Sequence, residues 1–140
     1  MFITRVTRHD KPDVRELLEE HGWGDSDIDA GNILLARDGV VVGCVKLVEV
    51  APQTVVVDDV LVHKERRREG IGADLMRAAM NSRGGTMFLC CHEELIRFYD
   101  RFGFALVPEG ELPAPVVAYL ESVDDIPAPP GHVHYFMKAR

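Results

Sequence analysis

Cysteine and tryptophan are scarce in this chain of 140 residues, with three of the first and one of the second. The cysteines, Cys44, Cys90 and Cys91, are odd in number and two are adjacent, which makes a poor disulfide framework. That pattern fits a reducing, cytoplasmic setting. No apolar run approaches the ~18 residues a membrane-crossing helix requires. The opening MFITRVTRHD has no hydrophobic core of the kind that directs export, so no membrane partner is expected. Positive charge is also short: 16 Lys and Arg stand against 23 Asp and Glu, a net charge of −7. Nucleic acid wants a cationic face, so it is not an expected partner.

What is present is ordinary for a folded domain. Apolar residues make up 46% and charged residues 28%, which excludes a wholly disordered chain. The length suits one domain over residues 1–140. FITRV alternates as a first strand. Pro12 to Glu20 carries Val14, Leu17 and Leu18 at helical spacing, and HGWGDSDIDAGN reads as a mobile loop. ILLAR, the turn DG and VVVGCVKLVEV predict a hairpin. TVVVDDVLVH extends it to a three-stranded antiparallel meander from about Asn32 to His63. Gly70 to Asn81 reads as a helix with Ile71, Leu75, Ala78 and Ala79 on one face. TMFLCC reads as a buried strand. EELIRFYDRF is expected as a second amphipathic helix, with Leu95, Phe98, Tyr99 and Phe102 on one stripe and Gly103 at its end. FALV is a short strand, the proline-rich segment after it is mostly loop with one helical turn near Pro115 to Leu120, and HVHYFMKA closes the sheet.

Against the acidic background, Lys64, Arg66, Arg67 and Arg68 form a basic island, a pattern that is often no more than solvated surface. Here it adjoins a glycine turn between a strand and a helix, RRREGIGADL. Backbone N–H groups of such a turn and the helix N-terminus point at one spot and favour an anion, and glycine lets phosphate oxygens approach. The pattern GxxxxGK followed by Ser or Thr is missing, which removes a Walker A loop. A dinucleotide fingerprint fails too, because Leu75 stands where a third small residue is needed and the upstream strands form antiparallel hairpins. The segment Arg67-Arg68-Glu69-Gly70-Ile71-Gly72 does fit R/Q-x-x-G-x-G/A, preceded by Val60-Leu61-Val62 and followed by RFYDRFGF.

In that order of elements the chain resembles the GNAT superfamily of acetyl-CoA-dependent N-acetyltransferases over almost its whole length. The resemblance implies an α/β single-domain fold with a mixed, mostly antiparallel sheet flanked by helices and splayed central strands. It implies acetyl-CoA as co-substrate. The amides of Arg67, Arg68, Glu69, Gly70, Ile71, Gly72 and Ala73 would hold its pyrophosphate, and the backbone of Val60, Leu61 and Val62 would pair with its pantetheine arm. Pairing of amides with a free strand edge is sound chemistry.

Family members transfer acetyl by direct attack of an amine on the thioester, so no nucleophilic cysteine is expected. Cys90 and Cys91 read as small apolar residues of a buried strand. The amine has to shed a proton and the departing thiolate gains by receiving one. Asp58 and Asp59 interrupt an apolar strand, where an acid is costly unless paired or functional. By strand parity Asp58 shares a face with Val56, Val60 and Val62, the face on which the resemblance places the base. Asp58 is therefore the first candidate base and Asp59 the second, with Glu49 a candidate contact for a cationic substrate. Tyr99 is the candidate acid by the same resemblance; its bland alternative is a core aromatic with its hydroxyl at a wet edge. Cys91, His92, His132 and His134 invite a metal reading, but no HxxxH or CxxC accompanies them and the transfer needs no metal, so none is expected. His134 is a candidate lining residue for the acceptor.

The expected reaction is acetyl transfer to a primary amine of a small molecule, an amino acid among the options. The loop Gly22 to Gly31, with Trp23 and three aspartates, is a candidate lid, and Arg37 or Arg97 a candidate carboxylate clamp. Protein or peptide N-acetylation and a non-catalytic acyl-CoA sensor remain the alternatives, and a homodimer stays open.

Overall fold

The structure is a computed structural model that describes all residues, Met1–Arg140. Strands β1 (Phe2–Arg5), β2 (Asn32–Asp38), β3 (Val40–Ala51), β4 (Thr54–Val62), β5 (Thr86–Cys91), β6 (Ala105–Val107) and β7 (Tyr135–Ala139) form a seven-stranded sheet. Its order is β1-β2-β3-β4-β5-β7-β6. Helices α1 (Lys11–Glu20), α2 (Ile71–Ser82), α3 (Ile96–Asp100) and α4 (Ala114–Ser122) flank it. Pairing is antiparallel for β1–β2, β2–β3, β5–β7 and β6–β7, and parallel for β4–β5. The mixed, mostly antiparallel sheet is the expected one, and β7 is the last strand to join it. It inserts between β5 and β6.

The chain divides into two compact units, Met1–Val48 with Val57–Gly84, and Glu49–Val56 with Gly85–Arg140. In the first, α1 starts with Pro12 in its first turn, a position that needs no N–H donor. Val14, Leu17 and Leu18 fall on one face and bury against Ile33, Leu35, Val41, Cys44 and Leu61. Fully burying each such side chain contributes about 1.5–3 kcal/mol. Helix α2 packs on Gly43, where a Cβ would come within 2.9 Å of the Leu75 side chain and 3.1 Å of the Leu61 carbonyl. Glycine at 43 lets the helix lie close to the sheet. Register puts Ala36 opposite Gly43 and Leu35 opposite Cys44, so α1 and α2 cover opposite faces.

In the second unit α4 is a nine-residue helix where the sequence reading expected one turn. Pro113 and Pro115 suit the start of a helix rather than breaking it, and the segment has enough apolar length to bury. Leu112, Val116 and Leu120 pack against Val56, Phe88 and Phe136. The expected long helix over EELIRFYDRF is shorter: a 3-10 turn, Glu93–Leu95, leads into the five residues of α3. Leu95 is exposed rather than part of the buried stripe. Gly103, with φ +90°, ends the segment as expected.

Candidate active site

Strand β4 carries the two acids of the first unit. Its ladder with β5 covers only Thr54–Val56, matched to Thr86–Phe88. From Val57 to Val62 the strand runs on beyond that pairing, and Val60 and Val62 are half-buried. Backbone groups on this stretch are the type that an extended, amide-bearing ligand can join.

Asp59 sits at φ +49°, in the left-handed region that a non-glycine residue adopts at a cost. This breaks the strict alternation of β4, so parity cannot assign Asp58 to a face across that residue. The Asp58 carboxylate accepts the N–H of Asp59 at 2.8 Å, a local bond that stabilises the irregular turn of chain. Asp59 is held from other elements. Lys46 Nζ lies 3.2 Å from its carboxylate, with the two side chains 3% and 14% exposed. Ser26 Oγ donates to it at 3.1 Å, and Lys46 also donates to the carbonyl of Asp27 at 3.1 Å. The Cys44 thiol donates to the Asp59 carbonyl at 3.4 Å. Burial and then the neighbouring Asp58 charge push the Asp59 carboxyl up, while Lys46 and Ser26 pull it back without overcoming them. Burial pushes the Cys44 thiol up to about 12, so it is no nucleophile at neutral pH.

Lys46 and Ser26 were missed in the sequence. A signal existed: two acids in an apolar strand call for a buried cation, and Lys46 is the only basic residue in β3. The loop at residues 22–31 is also tied down more than its composition suggests. Arg15 donates to the carbonyls of Gly24 and Ser26, and Lys11 pairs with Asp29. Arg37 is engaged by Asp10 and Asp13, so this clamp candidate is already paired.

After β4 a 3-10 turn, Lys64–Arg66, leads through Arg67–Gly70 into α2. Arg68 has φ +67° and Gly70 φ +82°, so two residues of the turn are left-handed. Backbone reversals of this type gather N–H groups into an anion-receiving concavity. A Cβ on Gly70 would meet nothing within 4 Å, so glycine is required there by its φ and the space beside it is open. The three arginines divide. Arg66 pairs with Asp38 and Glu69, and Arg67 Nε donates to the Val62 carbonyl at 3.2 Å. Arg68 is exposed. Two histidines set the approach to the turn: the Lys64 N–H donates to His21 Nε2 and the Glu65 N–H to His63 Nδ1.

In the second unit Tyr99 lies on α3, 6% exposed, with its ring 5.1 Å from Phe98 and 6.0 Å from Phe104. Cys91 is buried against the Met137 sulfur at 3.9 Å. Among the histidines, the rings of His92 and His134 are 5.0 Å apart and those of His92 and His132 5.4 Å. The donor set that converges is Cys90, Asp125 and His134. Asp125 comes from the loop after α4, 35 residues beyond Cys90 and nine before His134, and no spacing motif could have announced it.

The family model described as an acetyltransferase (GNAT) domain matches residues 29–106, from the end of the first loop to β6. No curated protein sequence matches the chain. Among solved structures, an acyl-CoA N-acyltransferase from Pseudomonas aeruginosa is 21% identical, with a TM-score of 0.72 and full coverage of both chains. Rv2747 from Mycobacterium tuberculosis, in complex with CoA and NLQ, is 18% identical over 99% of this chain and 98% of its own, with a TM-score of 0.73. N-acetylglutamate synthase from Neisseria gonorrhoeae, complexed with coenzyme A and N-acetyl-glutamate, is 20% identical with a TM-score of 0.72; it matches all of this chain, which spans 35% of it. The matched segment contains β4, the left-handed turn and α2 in order, and the chain belongs to the GNAT family as an acetyl-CoA-dependent acetyltransferase.

Proposed function

We propose that residues 1–140 act as one N-acetyltransferase domain that moves acetyl from acetyl-CoA to the primary amine of a small molecule, with amino acids as the first acceptor class to test. The observation that carries this reading is the turn with left-handed Arg68 and Gly70 between β4 and α2. Its N–H groups over Arg67–Ala73 receive the pyrophosphate. The backbone of Val60, Leu61 and Val62 pairs with the pantetheine amides. The amine nitrogen then attacks the thioester carbon, the carbon–sulfur bond breaks, and the sulfur leaves with the bonding pair.

Two proton transfers accompany this. Asp58 takes the proton from the amine, and Asp59, held by Lys46 and Ser26, fixes the chain beside it. Tyr99 gives its proton to the departing thiolate. No metal enters these steps. Support for an amino-acid acceptor comes from the bound N-acetyl-glutamate of the similar synthase, and the acid-rich loop around Trp23 suits a cationic amine. The free thiols Cys44, Cys90 and Cys91 favour a cytoplasmic setting.

The test is a panel of amines, amino acids and peptides incubated with acetyl-CoA, with thiol release followed and products identified by mass. Acetylation of a small amine or amino acid is expected. Products confined to peptides would move the function to protein N-acetylation. Tight acetyl-CoA binding without any acetylated product would make the domain a sensor.

A further inference from the structure

Register explains why donors from distant positions meet in the second unit. In the β5–β7 ladder Cys90 lies opposite Phe136 and Cys91 opposite Tyr135. Continued by one pair, the same register sets His92 opposite His134, and the observed ring separation of 5.0 Å agrees. Side chains two apart on a strand share a face, so Cys90, His92, His134 and Phe136 lie on one side. That side is the one covered by α4, since Phe136 and Cys90 pack with Val116 and Leu120. The chain leaving α4 therefore delivers Asp125 to the same place, fixed by its N–H donating to the Leu120 carbonyl at 2.8 Å.

One donor atom each from Cys90, Asp125 and His134 lies within 4.8 Å of the other two. The tautomer of His134 leaves a lone pair on one ring nitrogen. Its Nδ1 is 2.8 Å from the Asp125 carbonyl, which can only accept, so Nδ1 carries the hydrogen and Nε2 keeps its lone pair. A backbone carbonyl fixing the second nitrogen is the usual support of a metal-bound histidine. All three side chains are half-buried, so an ion can enter.

We propose that Cys90, Asp125 and His134 bind a divalent ion of the zinc class, which the transfer steps above do not use. A thiolate, an imidazole and a carboxylate select such an ion over calcium or magnesium, which take oxygen ligands. Bonds of about 2.1 Å to nitrogen and 2.3 Å to sulfur set tetrahedral donor separations of roughly 3.4–3.6 Å, so the side chains close by no more than about 1.4 Å on binding. Binding releases the Cys90 proton to solvent. The ion ties the end of β5, the start of β7 and the loop after α4 together.

The experiment titrates tag-free, chelator-stripped protein with Co²⁺ and follows the near-ultraviolet thiolate-to-cobalt band and the visible bands of four-coordinate cobalt. One Co²⁺ per chain with a thiolate band, displaced by Zn²⁺, is expected. Cys90→Ser should lose the band and bind at least ~10-fold more weakly, and His134→Gln should also weaken binding at least ~10-fold. Cys91→Ala, adjacent but pointed at Met137, should keep both. The proposal is overturned if wild-type protein shows no thiolate band, or if Cys91→Ala removes it while Cys90→Ser does not. Should Cys90→Ser fail to fold by circular dichroism, Asp125→Asn and His134→Gln decide: affinity unchanged in both sinks the site.

Discussion

Strands β4 and β5 leave the sheet in the same way and are dressed with opposite chemistry. Each runs into a 3-10 turn and then an α-helix, Lys64–Arg66 before α2 and Glu93–Leu95 before α3. The first junction carries Arg66, Arg67 and Arg68, two left-handed residues and a twelve-residue helix. The second carries His92, Glu93 and Glu94, has no left-handed residue before Gly103, and opens a helix of five residues. Topology alone would give both junctions free N–H groups at a helix start. Backbone hand, charge and helix length make the first the better suited to an anion. The second junction is instead built from lone-pair donors, which suits a cation or a proton.

The largest expected effect comes from breaking the buried pair on the strand that leads to the first junction. Asp59→Ala leaves the Lys46 ammonium buried without its carboxylate, and breaking a buried pair from one side costs about 3–5 kcal/mol. Urea unfolding reads it directly, and a loss under ~1 kcal/mol would make the pair incidental. The pH dependence has a definite sign. Asp59 is raised above its ordinary 3.8, so the folded state holds its proton more tightly than the unfolded chain. Its contribution is therefore full below that value and is lost as pH rises through the folded value. Wild type should therefore lose stability relative to the non-titrating Asp59→Asn as pH is raised from 4 toward 7.

Next in size are the two proposed proton carriers, one beside each junction. Asp58→Asn should lower turnover roughly 10²-fold with acetyl-CoA affinity nearly intact. Tyr99→Phe keeps the ring against Phe98 and Phe104, so a purely structural tyrosine would lose about 1 kcal/mol of stability and no turnover. A general acid should lose roughly 10² in turnover with the melting temperature little changed. Full turnover in Tyr99→Phe would assign the residue to packing alone.

How much of this could be seen in the sequence follows from what each signal depends on. The glycine turn and α2 were legible because their pattern is local, and only the boundary moved by one residue, to Ile71–Ser82. The α1 stripe was legible for the same reason. The length of α3 was not, because the apolar stripe of EELIRFYDRF obeys helical spacing while the chain begins as a 3-10 turn that leaves Leu95 exposed. Helix α4 was hidden by its prolines, which break a helix only from inside it. The Lys46–Asp59 pair and the meeting of Asp125 with His134 depend on contacts across 13 and nine residues of sequence. Those distances become short only once strand register is known. The left-handed Asp59 was equally invisible, and it undoes the parity argument for Asp58.

A smaller effect isolates the turn from its own conformation. A side chain at Gly70 is strained by the φ of +82°, so any variant there mixes backbone strain with ligand clash. Gly72 lies in the first turn of α2, away from the left-handed region, where helix propensity does not penalise valine relative to glycine. Gly72→Val should weaken acetyl-CoA binding at least ~10-fold, about 1.4 kcal/mol, with stability nearly unchanged. Calorimetric titration gives the answer, and normal affinity in a folded variant would remove the pyrophosphate from this turn.

The smallest effect uses a residue in which conformation and charge pull apart. Arg68 is left-handed at φ +67° and exposed, whereas Arg66 is tied to Asp38 and Glu69 and Arg67 to the Val62 carbonyl. Arg68→Gly relieves a left-handed cost of about 1–2 kcal/mol in the folded state. It also loosens the unfolded chain, which offsets roughly 0.5–1 kcal/mol of that gain. Stability should therefore hold or rise slightly. Binding should move the other way, because an exposed guanidinium beside an anion site steers and holds phosphate through a screened field. The expected loss of acetyl-CoA affinity is roughly threefold to fivefold at low ionic strength, about 1 kcal/mol, shrinking as salt is raised past ~0.15 M. An affinity loss that ignores salt would mean Arg68 shapes the turn rather than its field, and a stability loss would mean the left-handed arginine makes a contact worth more than its strain.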